Sequence, residues 1–358
     1  MTKKVECKDG VLPPPPPDLQ TNFHQLNPIG PRYQWEGNGG YCGEVSFISA
    51  GLYYGQYLSQ YDVRAMAWAC QDIAARNQTK NTQSAQLLLG VNDATVAQML
   101  KLGAEVFDVQ DSETFLQWVK KNVVSGYPVI VGVFYNEFLL SGGEITNPNY
   151  GDTEYDHIVP VMEWGSSRPL DQEDISGDVI LLSDNGLYGT DTSPVPDNTV
   201  VYYYDYAIPY FLATRQQANT QTDNNRVYSL LTLPQTNEGN KQNYAIAIKG
   251  VLDESRETLP VTLTTSINYE CPAIVDGSDI RPASQQVTLT ITVSGLTPGQ
   301  TYYLYYYDNE INVPVRNFNA QSGDPWQEID ATADTWTGSM TIQSNEKAFF
   351  RAVNKNAG

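Results

Sequence analysis

The sequence predicts an α+β chain: a helical part leading into an antiparallel sheet, followed by an all-β sandwich. Three observations carry this. Apolar residues recur at helical spacing between about residues 40 and 125; from Tyr127 onward they fall into short runs; and beyond residue 252 no helical period returns. Helices first and strands later argue for α+β rather than an alternating α/β order. At 358 residues the chain has length for two domains and a core that needs no disulfide scaffold.

Residues 1–20 read as a flexible arm, with Pro13 to Pro17 extended as polyproline II. The first domain spans 21–252. Its first helix runs from Cys42 to Leu58, with Val45, Ile48, Ser49 and Leu52 at helical spacing. Asp62 caps a second that continues to about Arg76, with Met66, Ala69, Cys70 and Ile73 on one face. Asp93 opens a third, through Val96, Met99 and Leu100. Asp111 or Ser112 caps a fourth, carrying Phe115, Trp118, Val119 and Val123 and ended by Gly126. Strands follow at Tyr127–Phe134, His157–Trp164, Val179–Ser183, Val200–Ala207 and Tyr244–Val251.

The charged stretch Asp253 to Glu257 marks the boundary to the second domain, 253–358. Val261–Ser266, Val287–Ser294, Tyr302–Asp308, Thr337–Gln343 and Ala348–Val353 alternate as short strands, which suggests an Ig-like sandwich. The segment Leu296 to Tyr302 resembles the tyrosine-corner turn of fibronectin type III domains, although over 50 residues follow it. Tyr303, Tyr305 and Tyr307 alternate with Tyr302, Leu304 and Tyr306. One set is therefore available to stack on a carbohydrate or protein partner, or else to pack between the domains.

Twenty-one Lys and Arg against 41 Asp and Glu give a net charge of −20, which disfavours nucleic acid and anionic lipid as partners. No apolar run reaches the length of a membrane span, and residues 1–10 lack the apolar core of a signal peptide. Few lysines and many Tyr, Asn, Gln and Thr suggest a secreted or extracellular protein. The four cysteines have no metal-ligand spacing, and two histidines nearly exclude a histidine-based metal site. No nucleotide-binding loop and no Gly-x-Ser-x-Gly elbow occurs, so no metal and no cofactor is expected. The one exception weighed is the loop Asp184 to Asn198, whose Asp and Asn residues lack recognisable calcium-ligand spacing.

What remains is a cysteine with a histidine. Cys42 lies in Gly39-Gly40-Tyr41-Cys42-Gly43-Glu44 at the start of the first predicted helix. There the macrodipole and unpaired N–H groups stabilise a thiolate, the form that acts as nucleophile. Gly40 and Gly43, with Tyr41, allow a substrate backbone close approach. The alternative is a small buried hydrophobe in a Gly-rich turn. His157 opens a strand directly after Asp156, so its ring can face a cleft; a structural histidine is the alternative. Asp184 and Asn185 end the next strand, where either can orient the imidazole or simply form a turn. Gln34, eight residues before Cys42, can donate its amide to an oxyanion.

Taken in order, Gln, Cys at a helix start, an apolar strand, Asp-His at a strand start and Asp or Asn after the next strand resemble the papain-like cysteine peptidase superfamily over roughly residues 30–250. Asp156-His157-Ile158-Val159 with the downstream Gly165 is similar to the papain histidine motif. The short Cys-Gly helix start and Gly126 to Val131 look more like the bacteriocin-processing branch. That branch uses Asp as third residue, implying Asp184; papain proper uses Asn, which would be Asn185. The chain departs from papain in having Glu44 and Val45 where the family carries its second cysteine and tryptophan. The interval from Gln34 to Cys42 is also longer, as though Gly39 and Gly40 were inserted. No exporter domain accompanies the motifs.

The resemblance implies a thiol peptidase. Cys42 would attack an amide carbonyl after passing its proton to His157. Asp184 would hold the imidazole, and Gln34 with the Cys42 backbone N–H would bind the oxyanion. An acyl transferase or peptide ligase of the same fold, and a non-catalytic surface-binding protein, are the competing readings. Glu36, Glu44, Glu154 and Asp156 either form an acidic cleft rim that would favour cationic peptides or are ordinary solvated carboxylates.

Overall fold

The computed structural model describes residues 18–78, 82, 85–135, 155–185, 203–211, 228–230, 242–276 and 279–357. The Pro-rich arm before residue 18, Glu154 and the loop beyond Asn185 lie outside them.

The first part is built from β1 (Phe23–Leu26), α1 (Cys42–Tyr53), β2 (Gln56–Tyr57), α2 (Gln60–Ala69), α3 (Ile73–Gln78), α4 (Asp93–Met99), β3 (Leu102–Val109), α5 (Ser112–Val124), β4 (Val129–Tyr135), β5 (His157–Ser166), β6 (Val179–Ser183), β7 (Tyr203–Ala207), α6 (Ile208–Phe211), β8 (Tyr228–Ser229) and β9 (Asn243–Val251). The second contains β10 (Thr258–Leu259), β11 (Val261–Thr265), β12 (Pro272–Asp276), β13 (Asp279–Pro282), β14 (Gln286–Ser294), β15 (Thr301–Tyr307), α7 (Phe318–Gln321), β16 (Gln327–Asp330), β17 (Thr335–Gln343) and β18 (Ala348–Asn354). The chain is α+β, and no described helix is long and apolar enough to cross a membrane.

Several boundaries differ from those read in the sequence. The first helix stops at Tyr53 because Gly55 takes φ +70, and the chain turns into β2 instead of continuing to Leu58. The second begins one turn earlier than Asp62. Ser59 is its N-cap, and Asp62 closes a capping box as the third helical residue. It ends at Ala69, and α3 is a separate short helix. Asp111 caps α5 as expected, accepting from Thr114 N–H at 2.7 Å. β3, an edge strand rich in Gly, Ala, Glu and Asp, was invisible to strand propensity, yet it pairs along its length with β9.

The central sheet has the order β3-β9-β4-β5-β6-β7, with β1 added to β5 and β8 to β4. Period-2 alternation divides it into two faces. Ile130, Ile158, Ile246 and Ile248 pack with α1, α2 and α4. Val129, Val131, Val159, Val161, Ala245 and Ala247 pack with α5, Trp164 and Tyr228.

The C-terminal strands form a two-stranded sheet, β12-β13, and two larger sheets. One, β10-β18-β15-β16, takes in β2 from the first part of the chain, with Tyr57 opposite Ala348; the other is β11-β14-β17. Residues of both meet in one core around Leu289, Ile291, Leu304 and Phe350. Thr297 N–H donates to Tyr302 Oη at 2.9 Å across the corner read in the sequence. The two parts also share a core, because Tyr305, Tyr307, Phe349 and Val353 pack with Phe47 and Ile48 of α1. Tyr305 and Tyr307 are therefore buried and Tyr303 is partly so. These tyrosines close the junction with α1, so of the two uses read for this face, packing between the parts is the one observed.

A buried ion pair ties the parts together a second time. Arg32 bonds Glu270 and the Ile267 carbonyl (2.6 Å), while Gln60 Nε2 reaches Glu270 Oε2 at 3.0 Å. Burial lowers the Arg32 guanidinium from its ordinary value. Tyr269 and Ile280 then pack on Tyr33, Trp35 and Tyr41, so the segment carrying Gln34 rests on C-terminal residues.

Candidate functional site

Cys42 is the first residue of α1, half-buried and not in a disulfide. No side chain caps this helix end: Tyr41 is the N-cap residue and makes no side-chain cap bond. The first-turn N–H groups and the positive end of the dipole therefore sit beside the thiol. Gly43 is required by packing, since a Cβ there would lie 2.4 Å from the Leu87 carbonyl oxygen. That contact brings the Leu87 segment against the helix start as one wall of the site.

His157 opens β5, opposite Val133 of β4, and Asp156 just before it is held by its N–H to the Val133 carbonyl at 3.0 Å. β6 runs antiparallel to β5 with Leu182 opposite Val161, so its C-terminal end arrives at the N-terminal end of β5. Asp184 follows it. Its Oδ1 lies 3.7 Å from His157 Nε2, an ion-pair distance longer than a hydrogen bond. Nδ1, on the opposite side of the ring, is then the nitrogen left for the Cys42 thiol. Both His157 and Asp184 are buried. Burial works to lower the His157 pKa. Interaction with Asp184, then hydrogen bonding and charge interaction with Cys42, more than offset this and push it up to about 9.

Asn185 points elsewhere. Its Nδ2 reaches the carbonyls of Cys42 and Ile158, each at 3.0 Å, and Ser46 Oγ at 3.1 Å. Its backbone carbonyl accepts from Gln34 N–H at 2.9 Å. It staples α1 to β5, while Asp184 is the carboxylate placed beside the imidazole.

Gln34 is buried beside the turn that precedes Cys42, where its Oε1 accepts from Tyr41 N–H at 3.1 Å. Three consecutive left-handed residues form that turn: Asn38 (φ 57), Gly39 (φ 77) and Gly40 (φ 81). Gly40 takes a positive φ and packs on Gln34, whose Oε1 would lie 3.3 Å from a Cβ there. Glu44 departs from its reading as a rim carboxylate. It is buried, ion-paired with Arg64 and accepting from Leu87 N–H at 2.9 Å, because its place in the first turn of α1 faces the core.

Two groups were not marked by any local motif. Tyr228 stacks on His157, with ring centroids 5.7 Å apart, and its hydroxyl donates to Asp184 Oδ1 at 2.9 Å. Arg64 grips the turn that precedes Cys42 through the carbonyls of Gly40 and Asn38 and covers the Tyr41 ring at 3.8 Å. A lone arginine in a helix of mixed polarity gives no signal in sequence, except that it is a cation on the buried face of α2. Among the described residues no cluster of three or more His, Cys, Asp or Glu is placed to hold a metal.

No protein-family model matches the chain, and no curated protein does. Two solved structures are weakly similar, both of Cwp84. The first is a clostridial cysteine protease after propeptide cleavage, 12% identical, covering 92% of this chain and 82% of that one at a TM-score of 0.23. The second is the cysteine protease and lectin-like domains of this surface layer associated protein of Clostridium difficile, 12% identical, covering 92% and 73% at a TM-score of 0.21. At such scores the reading rests on the site's own geometry.

Proposed function

We propose that this chain is a papain-like cysteine peptidase, with Cys42 as nucleophile, His157 as its base and then acid, and Asp184 orienting the imidazole. The observation that supports it most is the convergence of three separate segments. A half-buried thiol at an uncapped helix start, an imidazole pushed up to about 9 by its two neighbours, and a carboxylate on the far ring nitrogen meet at one point. A raised imidazole beside a thiol favours the thiolate–imidazolium pair at neutral pH. The thiolate sulfur attacks the scissile carbonyl carbon, and Gln34 Nε2 with the Cys42 backbone N–H receives the oxyanion. His157 returns its proton to the leaving amine as the C–N bond breaks. Water, deprotonated by the same ring, then hydrolyses the thioester. Aspartate as third residue is the choice of the bacteriocin-processing branch. An extracellular site of action suits the disulfide-bonded Cys271.

Cys70 supplies an internal control: it is the other described free cysteine, and burial raises its thiol above the ordinary value. Brief treatment of the native chain with limiting iodoacetamide, read by mass spectrometry from pH 4 to 9, is the test. Selective alkylation of Cys42 well below pH 8, lost in His157→Ala, is expected. Alkylation no faster than at Cys70 would sink the reading.

A further inference from the structure

The peptide unit between Gly40 and Tyr41 is held at both ends. Its carbonyl oxygen accepts from Arg64 Nη2, and its N–H donates to Gln34 Oε1 at 3.1 Å. In a trans peptide these two groups point in opposite directions, so the unit lies between the guanidinium on one side and the glutamine amide on the other. Inverting this peptide would turn ψ of Gly40, which a glycine at φ 81 tolerates, and carry φ of Tyr41 from −129 into the left-handed region, which a side chain disfavours; the backbone leans toward the observed orientation and the side-chain contacts fix it.

The choice matters for Gln34. With the Tyr41 N–H facing it, the glutamine must present Oε1 to the turn, and its Nε2 edge is turned away from it. With the peptide inverted, the Gly40 carbonyl would face Gln34 and draw Nε2 onto itself, and the donor edge would be lost. Inversion would also aim an N–H at the Arg64 guanidinium, donor against donor. Arg64 is fixed in turn by Glu44, two residues past the nucleophile, by the Asn38 carbonyl at 3.3 Å and by the Tyr41 ring at 3.8 Å.

We infer that Arg64 is a positioning residue that sets the direction of the Gly40–Tyr41 peptide and so turns the donor edge of Gln34 toward the oxyanion. This rests on the cysteine peptidase reading of Cys42 and Gln34. Arg64 acts through two intermediaries and touches no reacting atom.

The test uses the full chain and two probes. In p-nitrophenyl acetate the thiolate sulfur forms a bond to the acetyl carbon while the C–O bond breaks and p-nitrophenolate leaves, a step that needs the oxyanion site. Iodoacetamide alkylates the same sulfur by displacing iodide and needs no such site. Replacing Arg64 alone by an uncharged residue would strand Glu44, so the variant is Arg64→Met/Glu44→Gln. Its acetylation rate should fall about 10²-fold, the cost of one lost oxyanion donor, with Cys42 alkylation unchanged. In a Gln34→Ala background the same replacements should add nothing further. Arg64→Lys, which keeps a cation for Glu44 but cannot span both partners, should show a smaller loss of the same kind and carries the test if the double variant does not fold. Parallel loss of acetylation and alkylation, or losses that multiply with Gln34→Ala, would overturn the inference. An unmodified chain whose Cys42 is neither acetylated nor alkylated faster than Cys70 would instead overturn the peptidase reading beneath it.

Discussion

The two faces of the central sheet bury similar aliphatic side chains and do different work. The α5 face is closed by residues of the first part of the chain: α5, the short α6, Trp164 and the neighbouring strands. The α1 face is closed only when C-terminal residues arrive, through Tyr305, Tyr307, Phe349 and Val353. Each face also buries an ion pair. Lys120 Nζ meets Asp178 Oδ2 at 2.7 Å on the α5 side, where Trp164 Nε1 donates to the same oxygen at 2.8 Å. Glu44 meets Arg64 on the α1 side. The first pair holds a loop to a helix, and the second holds the turn that carries Cys42. The candidate site lies on the seam, since Cys42 packs on one core and Tyr228 belongs to the other.

The largest break in this comparison is removal of residues 253–358. It strips six buried aromatic and aliphatic side chains (Tyr305, Tyr307, Val313, Phe318, Phe349 and Val353) from the α1 face and leaves Arg32 buried without Glu270. Truncating a single buried aromatic costs about 3–5 kcal/mol, so the sum exceeds a typical domain stability of about 5–15 kcal/mol. Residues 1–252 should show no cooperative thermal transition by circular dichroism, and a sharp one would show that the α1 face closes by itself.

The next effect separates the ion pairs. Glu44→Ala and Asp178→Ala each strand a buried cation, at about 3–5 kcal/mol. Chemical denaturation should show comparable losses for the two. Only Glu44→Ala should also slow acetylation of Cys42; equal damage to the site by both would erase the division of labour between the faces.

A smaller effect belongs to His157. Its folded pKa of about 9 lies above the free value of 6.5, so its contribution is fully present below about pH 6.5 and is lost as pH rises through 9. The shift corresponds to about 3 kcal/mol. With only two histidines in the chain, the titration is directly readable by proton NMR, and Cys42→Ala should lower the His157 value.

The smallest change is Tyr228→Phe. It removes one hydrogen bond to Asp184, worth about 1 kcal/mol, and leaves the carboxylate a better acceptor for the imidazolium. The His157 pKa should rise slightly; a fall would mean that stacking, not the hydroxyl, is the contact that counts.

The helix starts and apolar strands were legible because period and caps are local. Cys42, His157 and Asp184 were legible because rare reactive residues fell at element ends. β3 was not, since its pairing depends on β9, far along the chain, rather than on propensity. Glu44 was misplaced as a rim carboxylate for the same reason, as its burial depends on an arginine twenty residues away. Asp184 and Asn185 could not be ranked from sequence, because both are turn residues and only their bonding distinguishes them.

That bonding also guards strand register. A slip of β6 by one residue would carry Asp184 into the place of Asn185 and Ser183 into the place of Asp184. A carboxylate would then face the carbonyls of Cys42 and Ile158 that now accept from Asn185, oxygen against oxygen, and the imidazole would lose its anion. The dipeptide thus works as a proofreading key: only one alignment of the strand lets both residues bond, and misaligned folding intermediates are penalised at the place where misalignment would do most harm.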